Sequence, residues 1–357
     1  MSETAKPAPP RPAFDQQSQS FFAEDGASRT AQVQALRLLH YRPWRGECRP
    51  AFYSVWPVAR VSLRMMFRRK LFWGLYALAL IIFLMFFFGQ YLLAWAESQS
   101  ASATVNVGLV RTNPSKLIRL LRDALKLNGS ADTYRNFFRW QGSMVMIVLA
   151  LAGALIVGND FRHRSLPFYL SKPIRRWHYV AGKCLAVAVF VNLMTTLPAL
   201  VLFVQYGLLD DWGYFVGDGT AISLGFVRLV LPINSLCLGI VGYGVLLTVC
   251  LSLFLVATAS WLRRTVPLIM AWTTLFFFLR MVARALVDGL HYDPRWRLLD
   301  LWNCLSLLGN RLLGIPAAQI RPQPQPEIWE AAATLAALCV VCLLYLNHRI
   351  RGVEVVH

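Results

Sequence analysis

The sequence predicts an all-α integral membrane protein. It would have six transmembrane helices, an N-terminal interfacial helix, a short helix in a central cytoplasmic loop and short amphipathic helices on the extracytoplasmic side. Three observations carry this expectation. Apolar residues make up 57% of the 357 residues and charged ones only 15%, unlike ordinary soluble domains. Six apolar runs, at about 71–95, 140–158, 182–207, 235–261, 265–287 and 328–347, meet or approach the roughly 20 helical residues that a bilayer core requires. Cations divide unequally between alternate loops, 22 on the side holding both termini against 12 on the other, which places both termini in the cytoplasm. The net charge of +18 then reflects topology and contact with anionic lipid. It does not point to nucleic acid, because no compact basic domain with interleaved aromatics is present.

Residues 1–50 read as a disordered or weakly structured cytoplasmic tail, rich in Pro, Ser, Gln and Ala. They lack a short positive start followed by an early apolar core, so a cleavable signal is not expected. Between Phe52 and Lys70, Val55, Val58, Val61, Leu63, Met65 and Met66 recur at helical spacing while arginines gather toward the end. This fits an amphipathic helix in the inner interface that leads into the first span.

On the outer side, Asn113 can cap and Pro114 can begin a basic helix to Leu127. That helix could lie on outer headgroups or form a contact surface for an anionic substrate or extracytoplasmic partner. Pro232 breaks the fourth run, so its span starts near Ser235. In the fifth run Arg280 and Arg284 are four apart and share a face. They are expected to snorkel to outer headgroups and pair with Asp288 or Asp293, or else to form a substrate-facing cationic pair. Trp296, Leu299, Trp302, Leu305 and Leu308 then form an apolar stripe, expected as one or two short helices half-sunk in the outer leaflet.

The most ordered polar stretch is Asn159–Lys183, with six cations and only Asp160 as an anion. Leu166, Phe168, Tyr169 and Leu170 form a short apolar patch, Pro167 suits a first helical turn, and Ser171, Lys172 and Pro173 read as a stop. This gives a short amphipathic helix across a cytoplasmic loop. Here the chain resembles type-2 ABC transporter permeases, whose loop carries a pattern close to L-P-x-Y-L-S-[RK]-P-I-x-R-x-x-Y-x-x-G-K after an acidic residue. The matching positions are Asp160, Leu166, Pro167, Tyr169, Leu170, Ser171, Lys172, Pro173, Ile174, Arg176, Tyr179, Gly182 and Lys183.

The resemblance implies that residues 51–357 form a type-2 permease transmembrane domain and that the loop is a coupling helix seated in a separate ATPase subunit. Asp160, Arg162, Arg164, Leu166–Pro173 and Arg176 would make that contact. It also implies a second permease subunit, identical or not, and ATP and magnesium held by the ATPase alone, in an exporter of the inner or plasma membrane.

No phosphate-binding loop is present, since Ala181-Gly182-Lys183-Cys184 lacks the upstream glycine and following hydroxyl. Neither H-E-x-x-H nor G-x-S-x-G occurs. Cys339 and Cys342 are spaced C-x-x-C without a second pair, and most of the seven cysteines fall inside apolar runs as small apolar side chains. The expectation is therefore a transport subunit rather than an enzyme, with no catalytic, cofactor or metal residues of its own. Two other classes stand beside it: a polytopic enzyme acting on lipid-linked substrates and an ion-coupled secondary transporter. The first lacks acid–base or metal groups, and the second lacks acidic residues at mid-membrane.

Overall fold

The computed structural model describes residues 51–100, 126–127, 129–153, 176–209, 213–216, 222–224, 227–229, 235–262, 264–316, 320 and 324–349. All of them fall in one compact unit, Pro50–His357. Nine longer helices organise them, beside the single turn Gly213–Val216: α1 Val55–Phe67, α2 Lys70–Ser100, α3 Ala131–Gly153, α4 Arg176–Met194, α5 Thr196–Leu209, α6 Ser235–Leu262, α7 Thr265–Gly289, α8 Leu301–Leu312 and α9 Ile328–Arg349. Five stretches among the described residues are long and apolar enough to cross a membrane: Phe72–Gly89 in α2, Trp177–Leu208 through α4 and α5, Ser235–Leu262, Thr265–Gly289 and Ile328–Arg349. The expected second span at 140–158 begins on α3, and its last five residues lie outside the described set.

Packing departs from the sequence expectation in four places. The apolar face of α1, formed by Val55, Val58, Ala59, Leu63 and Met66, is buried against α4, so protein covers it where lipid was expected. Val61 instead stays exposed. The third run is not one helix. It is interrupted at Thr195, where Pro198 has no N–H to offer the carbonyl of Met194.

Helix α8 buries Leu301, Trp302, Cys304, Leu305 and Leu307 against α6 and α9, so Trp302 and Leu305 of the expected outer-leaflet stripe are core and Leu308 is half-buried. Trp296 and Leu299, on a preceding 3-10 turn, remain exposed. Periodicity reveals an apolar stripe but not whether lipid or protein covers it. The all-helical expectation also meets a small exception, the antiparallel pair β1 Ile222–Leu224 and β2 Val227–Leu229.

Within α7, two π-helical turns, Thr274–Phe278 and Ala285–Gly289, flank Leu279–Arg284. Each adds a residue to a turn, rotating the face beyond it by about 100°.

Candidate functional site

Polar and charged side chains gather at two ends of the helix bundle. The ends are opposite because the stretch through α4 and α5 runs antiparallel to α6: Asn192 donates to Thr248 Oγ1 at 2.9 Å, and four residues on, at the start of α5, Thr196 meets Gly244. Lys183, early in α4, therefore lies toward the end of α6, whereas Tyr243, near the start of α6, belongs to the other end.

Of the expected coupling segment, Asp160, Arg162, Arg164, Leu166, Pro167, Phe168, Tyr169, Leu170, Ser171, Lys172 and Pro173 lie outside the described residues, as does the Arg176 side chain. The described part is the motif's tail, where Gly182 and Lys183 hold α1 and Tyr179 backs Lys183. Lys183 is 1% exposed, donates to Ser62 Oγ at 3.0 Å and sits 5.7 Å from the Tyr179 ring centroid. Such partners offset the cost of burying an ammonium group. Ser62 gives its own proton to the Val58 carbonyl at 2.9 Å, which leaves its oxygen free to accept. A Cβ on Gly182 would lie 2.8 Å from Val58 Cβ and 3.0 Å from the Val55 carbonyl, so only glycine permits this approach. Sequence reading attached these three residues to the loop. The contact of Lys183 with α1 depends on Ser62, 121 residues away.

At the other end, α3, α7, α8 and the turn before α8 enclose a cavity of about 430 Å³. Arg280 and Arg284 line it, and so do Lys126, Arg135, Arg139 and Arg297. The expected pairing of Arg280 or Arg284 with Asp288 or Asp293 is not found. Asp288 accepts from Arg297 at 2.5 Å, and Asp293 caps the 3-10 turn by accepting from the Arg295 N–H at 2.9 Å. Arg280 instead lies 3.7 Å from Asp300, which also accepts from the Asn303 N–H at 3.1 Å as the cap of α8. Burial pushes the Asp300 carboxyl above the ordinary aspartate value, against the lowering effect of Asn303 and Arg280.

Lys126 and Arg135 share Asp132 at 2.7 and 2.8 Å. The depth of the cavity is fixed by Trp302, whose indole packs where a side chain on Gly142 would stand. As candidate substrate-path cations, sequence reasoning singled out only Arg280 and Arg284. The signal that could have added others is the basic stretch before the second apolar run, where Arg135 and Arg139 sit four apart.

A family model described as an ABC-2 family transporter protein matches residues 56–348. No curated protein matches the chain.

Proposed function

The chain belongs to the ABC-2 family of transporter proteins, and from that membership we propose the finer working of an ABC transporter permease with an ATPase partner. The chain spans the membrane six times with both termini in the cytoplasm and pairs with a second permease, identical or not. It takes its driving force from a separate ATPase subunit, which alone holds ATP and magnesium. The coupling helix, Asp160–Pro173 with Arg176, seats in that ATPase, and closure of the ATPase pair moves it as a lever that changes access to an export path. This mechanism needs a helical interface with two arrangements rather than reactive side chains.

The observation that carries the reading is the attachment of α4 to α1 just past the loop. Lys183 and Gly182, with Tyr179 behind Lys183, bind the two helices into one body, so a push on the loop would move both together. Deletion of Leu166–Leu170 tests the docking role. Loss of co-purification with the ATPase, with membrane insertion intact, is expected; unchanged complex formation would refute it.

A further inference from the structure

The cavity beside α3 and α7 carries more positive charge than its carboxylates neutralise. Of its six cations, Lys126 and Arg135 share Asp132, Arg297 has Asp288, and Arg280 has a long contact with Asp300. Among the described residues Arg139 and Arg284 have no ion-pair partner, so six cations face three carboxylates. Like charges confined at a membrane surface repel, and a bound anion relieves that repulsion.

Two buried groups point the same way. Arg297 and Asn310 are each 3% exposed, and among the described residues Arg297 Nε and Asn310 Oδ1 have no hydrogen-bond partner. Buried polar atoms are rarely left so. A donor and an acceptor both wait in one cavity, which suits a phosphate beside a hydroxyl.

Deeper along the same two helices lies an apolar groove of about 130 Å³, where Met146, Ile147 and Ala150 of α3 face Trp272, Phe276 and Phe277 of α7. Met146 is seven residues beyond Arg139, about 10 Å along the helix, and Phe276 is four residues, about 6 Å, from Arg280. The charged compartment sits at the end of the bundle and the apolar one toward its middle, as the two parts of an amphiphile require. Guanidinium groups match phosphate oxygens in geometry as well as charge.

We propose that the cavity and groove form a binding site for an anionic phospholipid. Arg139, Arg284 and Arg297 hold its phosphate, and one acyl chain lies between α3 and α7. The site rests on the membrane-spanning reading of these helices and not on ATPase docking.

Native mass spectrometry of the purified full-length chain, without ATPase, tests it by titration with phosphatidylglycerol, phosphatidylcholine and glycerol 1-phosphate. Phosphatidylglycerol is expected to bind at least tenfold more tightly than phosphatidylcholine. The double variant Arg139→Gln, Arg284→Gln should lose roughly tenfold or more of that affinity, the scale of a lost charge-assisted contact, and Arg139→Lys, Arg284→Lys should retain most of it. Ala150→Phe, which fills the groove, should weaken phosphatidylglycerol severalfold.

An unchanged lipid preference in the glutamine variant overturns the proposal. So does glycerol 1-phosphate binding as tightly as the lipid and indifferent to Ala150→Phe, which would identify a soluble phosphate ester. Should the glutamine variant lose its helicity or melt early, Ala150→Phe and the glycerol phosphate comparison decide the matter. Failure of ATPase docking would appear only in co-purification and would leave these titrations untouched.

Discussion

Asp300 does two things at once. It caps α8 through the Asn303 N–H and places a buried carboxylate beside Arg280. Burial raises its folded value above the ordinary aspartate value of about 3.9. Its charged form therefore opposes folding at neutral pH, and that opposition disappears as pH falls through the folded value. Asp300→Asn keeps a good capping side chain and removes the charge. The variant is expected to melt with a weaker acid-side dependence on pH and to bind anionic lipid more tightly than wild type; an unchanged pH profile in thermal melts would count against this account. Lys183 was visible in the sequence as a member of a motif, but its partner Ser62 was not, because only folding brings positions 121 apart together. Arg139 and Arg297 were invisible for a related reason. Each looks like an ordinary loop or interface cation until the helices converge on one cavity.

Helices were legible where hydropathy alone defines them. Apolar runs of bilayer length gave the five membrane-length stretches now seen, Ser235–Leu262 among them. Less legible were the features that depend on neighbours: the π-helical turns of α7, the hairpin of β1 and β2, and the protein cover over α1 and α8. In a uniformly apolar run the helical period is weak, so an extra residue per turn leaves no trace.

Two substitutions probe these contacts. Gly182→Val is expected to displace α1 from α4 at a cost of about 1–3 kcal/mol, read as a lower melting temperature and faster proteolysis between Phe52 and Lys70. Trp302→Ala removes a side chain 2% exposed and is expected to cost about 3–5 kcal/mol. It should also enlarge the cavity, and lipid selectivity would fall with it.

For the whole molecule, membership of the ABC-2 family and the several apolar helices establish a multi-pass transport component, while sidedness rests on the count of loop cations. A single cysteine at Ser165 in a cysteine-free background is expected to react with an impermeant maleimide only after the cells are opened. Reaction from outside intact cells would reverse the topology. The jointed stretch Trp177–Leu208 bears on how such a molecule could work. Its 32 residues would measure about 48 Å as a straight rod, well beyond a hydrocarbon core of about 30 Å. Its helix is interrupted at Thr195, and three residues before that break Asn192 is fastened to Thr248. On the proposed reading, torque delivered through the loop to α4 would pass at Asn192 both into α6, whose Tyr243 lines the basic chamber, and into α5, where the Thr196 hydroxyl donates to Asn192 Oδ1 at 2.8 Å. Under the proposed coupling to an ATPase, Asn192→Ala is expected to loosen that joint and leave ATP turnover running while transport falls.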